Sequence, residues 1–146
     1  MSIRQSARMS AAEYRALYGL DVRGTRTNVP DGVQTGPRYG RMNKTEFRYS
    51  QQLDALKHAG GIQCWFFEPV KLRLAPKTWY TPDFGVVTAH GKPEFHEVKG
   101  ATKEGRPRWT DDARVKLKVA AEHYPQFRFV VTWLHDGSWH QEIFNG

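Results

Sequence analysis

The segment Asp83-Phe-Gly-Val-Val-Thr88 is followed by His90-Gly-Lys-Pro93 and then by Glu94-Phe-His-Glu-Val-Lys99. Two runs rich in apolar and β-branched residues flank a turn that contains Gly and Pro. This pattern is typical of two antiparallel strands joined by a short loop. The sequence therefore predicts a β-hairpin in the middle of the chain, and the other elements are expected to pack around it.

The second strand of this hairpin places two charged side chains together. Residues two positions apart on a strand share a face, so Glu97 and Lys99 point together while His96 and Val98 point the other way. With Asp83 at the start of the neighbouring strand, two carboxylates and one ammonium come close together, an arrangement suited to metal-assisted phosphodiester cleavage. The alternative is an exposed cross-strand ion pair with Asp83 as a turn residue after Pro82.

The flanking sequence predicts an α/β fold with a central mixed sheet of about five strands. Asn43-Lys-Thr-Glu46 is a capping pattern that begins a helix over 44–58, and Thr110-Asp-Asp begins a second helix over 110–123. Strand patterns occupy four further segments, which are 62–69, 70–74, 127–133 and 139–144.

The first 42 residues form a separate part of the chain in this interpretation. Ser10-Ala-Ala-Glu13 resembles a capping box and predicts a short helix over 10–18. The many Gly and Pro residues from 19 to 40 would interrupt any regular element and predict a linker or a mobile loop. We therefore expect a basic N-terminal helical arm over 1–42 and one compact domain over 43–146.

The chain is strongly basic, with 22 Lys and Arg against 15 Asp and Glu and a net charge of +7. Such an excess favours a polyanionic partner. The N-terminus of the helix that begins at Thr110 is a further candidate for phosphate binding. Solvated surface charge explains the basic side chains equally well. The candidates for contacting nucleic acid are Arg38, Arg41, Lys44, Lys103, Arg106, Arg108, Arg114, Lys116 and Lys118.

Several classes of function are disfavoured by composition. Cys64 is the only cysteine, which excludes an internal disulfide and a cysteine-based zinc site, and the six histidines lack metal-ligand spacing. No apolar run is long enough to span a membrane, and the start of the chain lacks a secretory signal. We therefore expect no membrane association and a cytoplasmic protein, in the host cell if it is phage-encoded.

Tyr80-Thr-Pro-Asp83, the hairpin, and Glu97-Val-Lys99-Gly together resemble the (P)D…(D/E)xK signature of restriction-endonuclease-like nucleases. The resemblance covers about residues 43 to 133. Within that superfamily the chain is most similar to small phage nucleases related to endonuclease I, to Holliday junction resolvases and to the nuclease subunit of some transposases. The resemblance implies a restriction-endonuclease-like core, Mg²⁺ as cofactor with Mn²⁺ as a substitute, and a homodimer.

The same resemblance implies roles for individual residues. Asp83 and Glu97 would be metal ligands, Val98 would offer its carbonyl oxygen, and Lys99 would position the attacking water. Glu46 would complete the acidic cluster as a further catalytic residue, although a Glu at this position is also explained by helix capping.

The leading functional prediction is Mg²⁺-dependent cleavage of DNA, selective for branched structures such as Holliday junctions. A restriction-like or transposase-associated nuclease is the nearer alternative. The alternative from another class is a non-catalytic nucleic-acid-binding module. Three aromatic residues near the site could stack on exposed bases or pack in the core: Trp79, Tyr80 and Trp109.

Overall fold

A computed structural model describes residues 33–35, by their backbone, and residues 42–144. The predicted helix over 10–18, Arg38 and Arg41 lie outside these residues, as does the Gly- and Pro-rich segment over 19–40 apart from residues 33–35. Those three residues form a strand, where the sequence predicted only a linker or loop, because they pair with a strand far away in the sequence. The described part contains two helices, α1 and α2, and eight strands, β1 to β8. In chain order they are β1 Val33–Thr35, α1 Lys44–His58, β2 Ile62–Phe67, β3 Val70–Ala75, β4 Thr78–Tyr80, β5 Phe84–Thr88, β6 Pro93–Lys99, α2 Asp111–His123, β7 Arg128–His135 and β8 Ser138–Ile143.

The fold is α/β, as predicted, and its centre is a mixed five-stranded sheet in the order β2-β5-β6-β7-β8. The β5–β6 hairpin is antiparallel, with Phe84 opposite His96. Strand β6 then pairs in parallel with β7, and α2 lies between them in the sequence. The predicted hairpin and the helix over 44–58 are confirmed, and Thr110 caps the second helix one residue before it begins.

A second, three-stranded sheet in the order β1-β3-β4 was not predicted. The sequence pattern identifies β3 as a strand, but it does not show that β3 leaves the central sheet to pair with β1 and β4. Strand β4 has only three residues and follows a two-residue turn in which Lys77 has φ 59°. Such a short strand carries little periodic signal.

The two faces of the central sheet build two separate cores. On one face, α1 packs Tyr49 and Leu53 against residues such as Phe84 and Val98. On the other face, α2 and the small sheet pack against residues such as Phe95 and Val131. Within the described residues, no helix is long and apolar enough to cross a membrane.

Candidate active site

The candidate site lies where the open end of the β5–β6 hairpin meets the first turn of α1. Asp83 precedes β5, Glu97 and Lys99 end β6, and Glu46 lies in the first turn of α1. The electrostatic interactions of Asp83 include all three of the other groups. The structure therefore brings together the four side chains that the sequence singled out as catalytic candidates.

Asp83 is held against β6 by the backbone. Its carboxylate oxygen Oδ2 accepts a 2.8 Å hydrogen bond from the N–H of Val98, and its own carbonyl accepts one of 2.8 Å from the N–H of Glu68. Burial, reinforced by the negative charge of Glu97, raises the pKa of Asp83 well above its ordinary value, and the Val98 hydrogen bond only partly opposes this. This carboxylate is therefore both fixed in place and crowded by like charge.

Glu97 and Lys99 form an ion pair of 2.9 Å between Oε1 and Nζ, as the two-residue period of a strand predicts. The side chains of Lys99 and Glu97 are only 14% and 12% exposed. A solvated surface pair would contribute little and would be largely open to water. The burial of both side chains therefore argues against the interpretation as an exposed surface ion pair. Two charges lie in a partly desolvated site, where the cost of desolvation is substantial.

Glu46 completes the cluster and also caps α1. Its Oε2 accepts a 2.9 Å hydrogen bond from the N–H of Asn43, while the Asn43 side chain accepts one of 2.8 Å from the N–H of Glu46. Burial raises the pKa of Glu46, and the charge of Glu97 adds to that rise. The capping and cluster interpretations of Glu46 are thus compatible, because one carboxylate does both.

Tyr80 is a site residue whose role the sequence did not reveal. Its hydroxyl donates a 2.6 Å hydrogen bond to Oε2 of Glu97. Only 6% of Tyr80 is exposed, which makes its ring unavailable for stacking on a base. Core packing is therefore the correct interpretation of this aromatic ring. The only sequence signal was the position of Tyr80, three residues before Asp83.

The other two aromatics differ from Tyr80. The Trp109 ring is partly exposed, with Lys99 Nζ 5.1 Å from its centroid. This cation–π contact helps to hold the ammonium at the site. The Trp79 ring instead lies beside Lys71, whose Nζ is 5.1 Å from its centroid. Because neighbouring residues on a strand point to opposite faces, Trp79 points away from the face that carries Tyr80.

His96 faces away from Glu97, as predicted. Its Nδ1 lies 2.5 Å from the hydroxyl of Tyr49, and its Nε2 lies 3.0 Å from Oε1 of Glu94. Glu94 also meets the guanidinium of Arg128 at 3.4 Å. This network is buried at Tyr49 and His96, joins α1 to β6 and β7 on the opposite face of the sheet, and gives both ring nitrogens of His96 a protein partner.

An ordered loop with basic side chains continues from Lys99. The N–H of Thr102 donates to the carbonyl of Arg106 at 2.7 Å, and the N–H of Arg108 donates to that of Gly100 at 2.7 Å. The indole of Trp133 donates to the Gly105 carbonyl at 2.9 Å. We call residues 100–108 the basic loop, because it presents three exposed cations: Lys103, Arg106 and Arg108.

The remaining basic candidates lie on the helices. Lys44 is exposed in the first turn of α1, and Arg114 and Lys118 are exposed one turn apart on α2. Lys116 forms an ion pair with Asp112 at 3.2 Å. The suggestion that the N-terminus of α2 attracts phosphate is disfavoured, because Asp111 and Asp112 place two carboxylates in its first turn.

The candidate site offers carboxylate oxygens, which are the ligands that hard divalent cations prefer. Among the described residues, no three His, Cys, Asp or Glu side chains are arranged to hold a metal ion by themselves. Magnesium needs fewer protein ligands, because it keeps several waters and binds through one or two carboxylates together with substrate phosphate. The oxygen donors of Asp83 and Glu97 fit that requirement.

No protein-family model, curated protein or solved structure matches this chain. What indicates the function of the protein is the geometry of the site and the chemistry of its residues.

Proposed function

We propose that this protein is a Mg²⁺-dependent DNA endonuclease of the PD-(D/E)xK type, with its active site at Glu46, Asp83, Glu97 and Lys99. The observation that carries the proposal is the charge of this cluster. Three carboxylates interact with one ammonium, which leaves two negative charges when all four groups are ionised. A chain with a net charge of +7 thus concentrates acidic groups in one partly buried place.

A divalent cation is the natural complement of that charge. Asp83 and Glu97 would hold it, and the Val98 carbonyl is the third donor that the family resemblance suggests. Bound magnesium lowers the pKa of a coordinated water and stabilises negative charge on the reacting phosphate. Burial is the main cause that raises the pKa of Asp83, and the negative charge of Glu97 adds to it; a bound cation would offset that repulsion between the two carboxylates.

The side chains of the protein would perform the remaining steps. The Lys99 ammonium would orient the attacking water and stabilise the charge that develops on the phosphate. Glu97 holds Lys99 through the 2.9 Å ion pair, and the Trp109 ring borders the same ammonium. Glu46 would add an acceptor for water at the edge of the cluster.

The basic loop supports DNA as the substrate. It begins directly after Lys99, and its exposed cations Lys103, Arg106 and Arg108 would contact the phosphates next to the cleaved bond. Following the family resemblance, we further propose selectivity for branched DNA and action as a homodimer, with one active site for each of two strands.

A cleavage assay with matched variants tests the proposal. Wild type should nick DNA with Mg²⁺ or Mn²⁺ and not in EDTA, and Glu97→Gln should abolish nicking. Glu94→Gln is the control, because Glu94 lies on the same strand and is also partly buried, but pairs with His96 and Arg128. Failure of the pure wild type to cut any DNA with either metal would refute the proposal.

Substrate selectivity needs a separate competition. Four-way junction, flap, linear duplex and single-stranded DNA are offered together, and cleavage of each is followed over time. We expect the junction to be cut first. Equal cleavage of the linear duplex would contradict branch selectivity while leaving the nuclease assignment intact.

A further inference from the structure

Both oxygens of the Glu97 carboxylate have a fixed donor. Lys99 Nζ lies 2.9 Å from Oε1, and the Tyr80 hydroxyl donates to Oε2 at 2.6 Å. A carboxylate held at both ends cannot rotate freely about its last side-chain bond, although each oxygen keeps a further lone pair for another partner. The orientation of Glu97 is therefore set by its two neighbours.

The position of the Tyr80 hydroxyl is in turn set by the small sheet. Tyr80 lies opposite Leu72 in the β3–β4 pairing, and its ring lies 6.4 Å from that of Phe129 in the core. Leu72 is fully buried. A tyrosine ring packed this tightly in the core has little rotational freedom. The position of its hydroxyl is therefore fixed, unlike that of a mobile surface group.

We propose that Tyr80 is a positioning residue that orients the Glu97 carboxylate for metal binding. This inference rests on the proposed function, because it assumes that Glu97 is a ligand. Tyr80 would not touch the metal or the DNA. It would hold Oε2 from the side of the small sheet, so that the remaining lone pairs of Glu97 face Asp83 and the approaching cation.

This role explains what the second sheet adds to the site. Strand β4 brings a neutral donor, and β6 brings the charged donor Lys99. Groups that hydrogen-bond to a metal ligand commonly change metal affinity or activity by about 10- to 100-fold when they are removed. Removing the Tyr80 hydroxyl should therefore weaken metal binding substantially, although it deletes only one oxygen atom.

The matched control is Tyr124. Its hydroxyl is also the end of a buried tyrosine, and it donates at 2.7 Å to the Arg73 carbonyl in the same small sheet. Tyr80→Phe and Tyr124→Phe each remove one hydroxyl from the region between α2 and the small sheet. Only the first removes a partner of Glu97.

The test measures Mn²⁺ binding to the full chain without DNA, by calorimetry, at a temperature where circular dichroism shows every variant folded. We expect Y80F to weaken Mn²⁺ binding by about 10- to 100-fold and Y124F to leave it near the wild-type value. With DNA, Y80F should lower kcat at a fixed Mn²⁺ concentration while KM for DNA stays unchanged.

A double-mutant cycle keeps the inference falsifiable if Y80F also loses stability. The background is Glu97→Asp, which keeps a carboxylate ligand but shortens the side chain, so that it no longer reaches the Tyr80 hydroxyl. If Tyr80 acts through Glu97, the Y80F substitution should have no further effect on the weakened Mn²⁺ affinity of this variant. An equal loss in both backgrounds, or Mn²⁺ binding by Y80F at wild-type strength, overturns the inference.

The two levels of the proposal fail differently. If wild type binds Mn²⁺ and cleaves DNA and Y80F is unaffected, only the role of Tyr80 is refuted. If wild type neither binds Mn²⁺ nor cleaves DNA, the proposed function is refuted, and the role of Tyr80 is overturned with it.

Discussion

The backbone N–H of Val98 donates a 2.8 Å hydrogen bond to the carboxylate of Asp83. The donor lies between Glu97 and Lys99 in the sequence, so one bond ties the start of β5 to the place where β6 presents both charged side chains. The geometry of the candidate site thus depends on strand pairing, and not on a flexible loop.

Replacing Asp83 by Asn should abolish cleavage and stabilise the metal-free fold. The pKa of Asp83 is raised well above 3.8, mainly by burial and by Glu97. A raised carboxyl pKa means that the folded state is relatively most stable below the unfolded pKa and loses stability as the pH rises through the folded pKa. An Asn oxygen can still accept from Val98, without the charge.

Thermal denaturation in EDTA, measured between about pH 4 and pH 8, checks this prediction. The advantage of D83N over wild type should grow as the pH rises. Asp54→Asn is the control, because Asp54 lies on α1 and accepts from the Trp65 indole at 2.9 Å, outside the cluster. A D83N protein that is less stable than wild type at neutral pH would show that the charge of Asp83 is well compensated.

Metal binding should stabilise the wild-type fold. A ligand that binds only the folded state adds about 2.7 kcal/mol when its concentration is 100 times its dissociation constant. The melting temperature of wild type should therefore rise with Mg²⁺ concentration, while D83N and E97Q should show no such rise. E94Q should respond like wild type. A shift of equal size in all four proteins would indicate non-specific binding instead.

Much of this site followed from local patterns in the sequence. The two-residue period of a strand placed Glu97 and Lys99 together and turned His96 away, and the structure confirms both. The capping pattern at Asn43 predicted where α1 begins, which also places Glu46. Such features depend on residues close in sequence, and local stereochemistry determines them.

The features that were not predicted depend on long-range pairing. Strand β4 does pair locally with β3 across a two-residue turn, but its three residues carry little periodic signal. Nothing near Tyr80 in the sequence indicates that its hydroxyl reaches a carboxylate 17 residues away. Strand β3 lies in the small sheet and contacts α2, an arrangement that joins residues far apart in the sequence. Burial of the Glu97–Lys99 pair is also a tertiary property, so the sequence alone left the surface-pair alternative open.

Removing charge from the basic loop should weaken DNA binding without affecting the chemical step. Lys103→Ala and Arg106→Ala together should reduce the salt dependence of DNA affinity, by a slope of about one for each phosphate that the protein no longer neutralises. We expect KM to rise and kcat to stay near wild type. The matched control removes two other exposed cations, Lys57 and Lys92, which lie at the end of α1 and in the hairpin turn.

Filter binding at several salt concentrations measures how the DNA affinity of the loop variant and of the control variant depends on salt. Both variants carry the inactive E97Q substitution to prevent cleavage. A loss of the same size in the K57A/K92A variant would mean that net charge alone controls DNA affinity. The basic loop would then have no special part in binding.

The shape of the basic loop depends on Gly105. This residue has φ +79°, and a Cβ atom there would lie 2.7 Å from the ring of His135. Gly137 has a similar φ of +76° but open space around it. Left-handed backbone costs a non-glycine residue roughly 1–2 kcal/mol. Gly105→Ala should therefore destabilise the protein more than Gly137→Ala, because it adds a clash to the backbone strain.

Urea denaturation of the two variants gives the difference in unfolding free energy. Because the Gly105 carbonyl accepts from the Trp133 indole at 2.9 Å, G105A should also displace the basic loop and weaken DNA binding, whereas G137A should not. Removing the ring with His135→Ala should relieve the clash, so that G105A in that background costs no more than G137A. If the excess cost persists without the ring, backbone strain in the loop, and not contact with His135, sets the requirement for glycine.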